Sequence, residues 1–274
     1  MQEKKNEKKV ILVFSDIDGT LIQKAKDEDN VDSLVKVSQT KYGCSYMTLK
    51  ANQDLHELDN KIEFIFTTSR GAEAYSGMNW GFNPKHVLIE GGSVLLTNGQ
   101  KDKQWDEDVR KIMGEDFLLL QKLRELVCSL GYTMKYEHNE YLLDFLDKDY
   151  ISVKDEEKKQ IKCEMVKNKL YEIKRIRQGF NIYSHNNGMI IVYKKLEKGE
   201  MIKKYIEKFK NKKDVITISM GDTPTDSTMF NITDYSFGPK GSGATFEYEI
   251  LDDFESKLGF TSFILDGVRK IIFN

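Results

Sequence analysis

The chain has 274 residues, long enough for one large or two modest domains, and its 42 Lys and Arg against 44 Asp and Glu leave a net charge of −2. That balance argues against a nucleic-acid or membrane partner, and no apolar run approaches the roughly 20 residues needed to cross a bilayer. Cys44, Cys128 and Cys163 are widely spaced without a C-x-x-C pair, and the histidines are isolated, so a disulfide framework, a zinc site and a Ser-His-Asp triad find no support.

The N-terminal "MQEKKNEKK" is charged, and the apolar stretch behind it is far shorter than a signal-peptide core, which predicts a cytoplasmic protein. That stretch, "VILVF" at 10–14, runs straight into "SDIDGT". Two carboxylates with one residue between them repel, so Asp16 and Asp18 ask for a cation or a chemical task, unless they merely cap a turn. The segment "SYMTLKANQDLHELDNK" has Tyr46, Leu49, Leu55 and Leu58 near helical spacing, and a second strand, "IEFIFTT" at 62–68, follows it. A third strand, "HVLIE", spans 86–90, and Asn98-Gly99 reads as a hairpin turn.

From 100 to 192 the pattern changes. "DFLLLQKLRELVCSLGY" is helical by period, "YLLDFL" and "NIYSHNNGMIIVY" are strand-like, and the charged stretch "SVKDEEKKQIKCEMVKNKLYEIKRI" reads as helix. Beyond it, "GEMIKKYIEKFKNKK" places Met201, Ile202, Tyr205, Ile206 and Phe209 on one helical face before a fourth strand, "DVITISM" at 214–220. Continuous apolar strands with helices between them predict an α/β fold, a doubly wound and mostly parallel Rossmann-like sheet. The predicted core is 1–99 with 193–274, and 100–192 is an inserted α+β domain.

Ligands of such sheets bind beyond the carboxyl ends of the strands, and those ends are polar here. The first offers Asp16 and Asp18, the second Thr67, Thr68, Ser69 and Arg70, and the fourth Asp222 and Asp226 of "MGDTPTD". Lys198 opens the helix before the fourth strand, although its lysine neighbours leave a solvated role open. Thr67, Thr68 and Ser69 could equally satisfy turn amides. Hard oxygen ligands around a small open site suit Mg²⁺. In the insert, Tyr183, His185, Asn186, Asn187 and Met189 flank a return to the core and read as packing or turn residues before ligand contacts, as do Trp80 and Trp105.

"DIDGT" at 16–20, a strand ending in "TTSR", a lysine before a helix and a late "GDTPTD" together resemble the ordered motifs of the haloacid dehalogenase (HAD) superfamily of phosphohydrolases. An insert between the second and third motifs is similar to the Cof-type branch (class IIB cap), which includes sucrose-phosphate and trehalose-phosphate phosphatases. The resemblance covers the core, about two-thirds of the chain. It implies a Mg²⁺-dependent phosphomonoesterase acting on a small phosphate ester, most simply a sugar phosphate, through an aspartyl-phosphate, with no obligatory protein partner. A sugar phosphomutase of the same fold and a non-catalytic sugar-phosphate-binding module are the alternatives.

Residue by residue, the resemblance implies Asp16 as nucleophile, Asp18 as proton carrier, Thr68 as phosphoryl-binding hydroxyl and Lys198 as balancing cation. It implies Asp16, Asp18 by its backbone carbonyl, Asp222 and Asp226 around the metal, and Gly19, Thr20, Ser69, Arg70, Gly91 and Gly92 along the substrate. The chain departs from the pattern at Ser69, where many relatives have glycine, at Thr225, where many have asparagine, and at "IEGGS" in place of "xENGA".

Overall fold

The computed structural model describes residues 10–25, 30–40, 43–149, 156–185, 188–208, 215–239, 248–250 and 257–273. Strand β1 (Val10–Ser15) is followed by an antiparallel hairpin, β2 (Leu34–Thr40) with β3 (Gly43–Thr48), and then by helix α1 (Leu49–Asp59). The helix expected from Ser45 onward begins four residues later. Tyr46 and Met47 belong to β3, and Thr48 caps α1 by accepting the Ala51 N–H at 3.1 Å. Leu55 and Leu58 are buried as the periodicity implied, whereas Leu49 is exposed.

Next come β4 (Glu63–Thr67), α2 (Ala72–Ser76), β5 (His86–Ile89), β6 (Val94–Thr97) and β7 (Gln100–Lys101). Asn98 and Gly99 join the last two strands, both at positive φ (50° and 76°), the backbone that a two-residue hairpin demands. The chain then leaves this sheet for α3 (Lys103–Met113), α4 (Asp116–Ser129), β8 (Tyr132–Met134), β9 (Leu142–Asp147), α5 (Glu156–Tyr171), α6 (Lys174–Gly179), β10 (Phe180–His185) and β11 (Gly188–Tyr193). It returns through α7 (Lys198–Glu207), β12 (Val215–Met220), α8 (Ser227–Phe230), β13 (Tyr235–Pro239), β14 (Tyr248–Ile250) and α9 (Lys257–Phe273). Phe209, Asn186 and Asn187 lie outside the described residues.

The first sheet has the strand order β14-β13-β12-β1-β4-β5-β6-β7, parallel except for its β5-β6-β7 edge. The second has the order β10-β11-β9-β8, with antiparallel pairing throughout. Leu12, Val13 and Phe14 are fully buried because β1 is central and covered on both faces, which accounts for its unbroken apolar run. No helix among the described residues is long and apolar enough to cross a membrane.

Candidate active site

The register of the parallel strands brings the polar ends together. Ser15 pairs with Met220 on one side and Phe66 on the other, so Asp16 emerges beside the ends of β12 and β4. Its N–H donates to the Met220 carbonyl at 2.9 Å. Lys198, the first residue of α7, is 5% exposed and donates from Nζ to Asp16 Oδ1 at 2.7 Å and to Asp226 Oδ1 at 2.5 Å. Gly199 lets the helix come this close: a Cβ there would sit 2.2 Å from the Thr228 carbonyl oxygen. The glycine after the lysine is therefore a packing requirement of the site.

Asp226 is fully buried and its other oxygen accepts from Asp222 N–H (3.1 Å), Thr223 N–H (2.9 Å) and Thr223 Oγ1 (2.8 Å). Both oxygens of a residue expected among the metal ligands are thus taken up in holding Lys198 and the 222–223 turn. Asp222 accepts a hydrogen bond from Thr20 Oγ1 at 3.1 Å, and Gly19, at φ 89°, has no room for a side chain because a Cβ would lie 2.0 Å from Asp222 Oδ2. Gly19 and the fully buried Thr20 were expected along the substrate. Both lie against Asp222, which Thr20 holds and Gly19 leaves room for.

Thr67 and Thr68 are both buried, and what separates them is which one faces the cleft. Thr68 and Ser69 line the cleft and Thr67 does not, and Thr68 Oγ1 accepts the Arg70 N–H at 3.2 Å. Arg70 reaches back to Asp18, with Nε to Oδ2 and Nη2 to Oδ1 both at 2.7 Å, and donates from Nη1 to Ser38 Oγ at 3.0 Å. Asp18 is 48% exposed at its side chain and stands apart from the buried cluster. The Asp18 carboxylate is thus held bidentately by a guanidinium.

Gly91 (φ 68°) lines a small pocket with Ser69, Tyr183, Lys198 and Thr225. Gly92 (φ 100°) does not reach the cleft: a Cβ would meet Met201 Cβ at 2.6 Å, and its carbonyl accepts from Trp105 Nε1 at 3.1 Å. Helix packing requires a glycine here. Trp80, stacked on Phe66 with centroids 4.3 Å apart, and Trp105 are both buried, in keeping with their reading as core.

Across a cleft of about 1070 Å³, the facing wall comes from the segment 135–139 and from β9, β10 and β11. Asp144 is 2% exposed; Lys135 Nζ lies 3.2 Å from its Oδ2 and His185 Nε2 lies 3.3 Å from its Oδ1. That Oδ1 has no hydrogen-bond partner, and Tyr136 and Asn139 complete the wall. Sequence reading passed over Lys135, Tyr136 and Asp144. The signal available was an acid in the middle of an apolar strand, "LLDFL", which ordinary packing would not place there. His185 lines the cleft, Tyr183 is held by Glu197 at 2.5 Å, and Met189 is buried.

No model of a protein family matches this sequence, and no curated protein matches it. Solved structures do match it. The C-terminal domain of the trehalose-6-phosphate phosphatase of C. albicans superposes with a TM-score of 0.58 at 17% identity, over 94% of this chain and 92% of that one. The sucrose-phosphatase of Synechocystis sp., crystallised with sucrose and phosphate, gives 0.53 at 12% identity over 84% and 82%. A haloacid dehalogenase-like hydrolase protein of Bacillus subtilis gives 0.50 at 16% identity over 98% and 97%. The fold is that of the haloacid dehalogenase-like hydrolases.

On this haloacid dehalogenase-like fold, the electrostatics of the rim favour a cation. Ligand oxygens of Asp16, Asp222 and Asp226 lie within 4.8 Å of one another. Burial, reinforced by Asp226 and Asp222, pushes the Asp16 carboxyl well above the usual carboxylate range despite the opposing pull of Lys198. Asp222 is pushed up to about 7 by burial and then by Asp226. Burial opposes the Lys198 charge, but Asp16 and Asp226 outweigh it and hold the ammonium above the ordinary lysine range. One lysine cannot balance three clustered carboxylates, two of them buried. A divalent cation would, and Asp16 Oδ2 and Asp222 Oδ2 have no hydrogen bond among the described residues.

Proposed function

We propose that this protein is a Mg²⁺-dependent phosphatase of a sugar phosphate. The observation that carries the reading is the cluster of Asp16, Asp222, Asp226 and Lys198 at the floor of a cleft whose far wall is polar. Similarity to sucrose- and trehalose-6-phosphate phosphatases supports a sugar as the leaving group. We assign residues 1–99 and 193–274 to the catalytic core and 100–192 to a cap.

In this reading an Asp16 carboxylate oxygen attacks phosphorus as the ester P–O bond breaks, and the departing sugar oxygen takes a proton from Asp18. Water then attacks the aspartyl-phosphate, giving its proton to Asp18 and releasing inorganic phosphate. Asp18 must part from Arg70 to carry that proton. Thr68, Ser69 and Lys198 hold the phosphoryl oxygens, Lys198 already lying against Asp16. Mg²⁺ at Asp16 and Asp222 would supply further positive charge to the transferring group. The cap wall would hold sugar hydroxyls, with Asp144 accepting and Lys135 donating.

Phosphate release measured over a panel of sugar phosphates, nucleotides, pyridoxal phosphate and flavin mononucleotide tests this. Turnover should be greatest for a sugar phosphate in Mg²⁺ and stop in EDTA. No release from any sugar phosphate would overturn the reading.

A further inference from the structure

Glu90, at the end of β5, has a backbone and a side chain that act on opposite walls of the cleft. It is 3% exposed and sits at φ 51°, a left-handed conformation that strains a residue bearing a Cβ. Its N–H donates to the Arg70 carbonyl at 2.9 Å, and the Gly91 N–H donates to the Thr68 carbonyl at 2.8 Å, so the strand end props the 68–70 loop from behind. The Glu90 side chain crosses to the cap. Its Oε2 accepts the N–H groups of Glu140 and Tyr141, both at 2.8 Å.

The segment so held is the one that turns Lys135, Tyr136 and Asn139 toward the cleft. Its ends are fixed as well: Lys135 N–H donates to the Asp144 carbonyl at 2.8 Å, and Asn139 Nδ2 donates to the Leu142 carbonyl at 3.2 Å. Asn139 also abuts the core, since a Cβ on Gly71 would lie 1.9 Å from its Oδ1. Glycine would relieve the backbone at position 90. The carboxylate found there instead accepts from two backbone amides across the cleft, that of Tyr141 buried and that of Glu140 partly so.

We infer that Glu90 is a positioning residue, setting the cap segment 135–141 at a fixed height over the 68–70 loop and so deciding how a sugar phosphate spans the cleft. The inference rests on the phosphatase reading given above. Both amides use one oxygen, so a glutamine carbonyl can replace it and a leucine cannot. Burial pushes the Glu90 carboxyl up to about 7 against the opposing amides of Tyr141 and Glu140, and its neutral form keeps an acceptor oxygen.

The experiment compares kcat and KM on the sugar phosphate that the wild type hydrolyses best with those on p-nitrophenyl phosphate, whose leaving group asks little of the cap. Glu90→Gln should stay within about twofold of wild type on both, while Glu90→Leu should lose about tenfold or more in kcat/KM on the sugar phosphate alone, chiefly through KM. Wild-type behaviour of the leucine variant, an equal loss on both substrates, or a glutamine variant as impaired as leucine would each overturn the inference. Should the leucine variant fail to fold, Glu90→Gly, which suits the left-handed backbone, takes its place under the same criteria. Amide exchange in the unaltered protein is a second reading: the Glu140 and Tyr141 amides should exchange slowly, and open-loop rates at both would overturn the contact. Absence of any phosphate release by the wild type would overturn the phosphatase reading and leave the exchange measurement to decide the tie.

Discussion

The two walls of the cleft hold their charges on different terms. On the core side, Lys198 touches Asp16 and Asp226 at 2.7 and 2.5 Å, and Asp226 takes three further donors from the 222–223 turn. On the opposite side, Asp144 meets Lys135 and His185 at 3.2 and 3.3 Å, and one of its oxygens has no hydrogen bond. In the proposed reaction a phosphoryl group presents the same charge whatever sugar carries it, and the core wall meets it with a held Lys198 and with Asp16 and Asp222 oxygens left open toward a cation. A wall with an unsatisfied acceptor is built to take its last hydrogen bond from a ligand.

The comparison breaks most sharply at Asp16. Asp16→Asn should reduce phosphate release at least about 10³-fold with every substrate, and comparable rates would remove the nucleophile from the reading. Lys198→Met should cost about 10²-fold or more in kcat and, by leaving Asp16 and Asp226 buried without their counter-charge, about 3–5 kcal/mol of stability in the metal-free protein, read from urea unfolding. An unchanged midpoint would show the core wall to be less dependent on the lysine than its distances suggest.

Glu90 gives a pH test. Its carboxyl, ordinarily near 4.5, is raised to about 7 in the folded protein, so between those values the folded state binds the proton more tightly than the unfolded chain. Its contribution to stability is therefore full below about pH 4.5 and declines as pH rises toward 7, by up to about 3 kcal/mol. The melting temperature of the wild type should fall relative to that of Glu90→Gln between pH 5 and 8; a constant difference would contradict the burial argument. The smallest effect is expected on the cap. Asp144→Asn should lower the preference for the sugar phosphate over p-nitrophenyl phosphate, as a ratio of kcat/KM, by about tenfold, and an unchanged ratio would place sugar recognition elsewhere.

Much of the core was legible because its strands are buried on both faces and so read as unbroken apolar runs, and because "DIDGT" and "GDTPTD" pack a metal-suited chemistry into contiguous residues. The β2-β3 hairpin was hidden: "SYMTLK" satisfies helical spacing, and the pairing of Lys36 with Tyr46 that makes it a strand is not a local property. The packing role of two glycines was hidden for a similar reason. Gly19 and Gly92 are required by contacts with Asp222 and Met201, residues some two hundred and one hundred positions away, and nothing local separates such a glycine from one that lines a ligand.

The sequence by itself located four of the parallel strands, the polar character of their ends and the types of group available there, since these depend on runs and motifs a few residues long. Only the tertiary structure decided which groups meet. It turned Asp18 onto Arg70, committed Asp226 to Lys198 and its own turn, and set Lys135 and Asp144 across the cleft from Thr68. It also made Glu90 a tie between the two walls. Those outcomes follow from strand register and buried hydrogen-bond satisfaction, which join residues far apart in the chain and leave no pattern in any one segment.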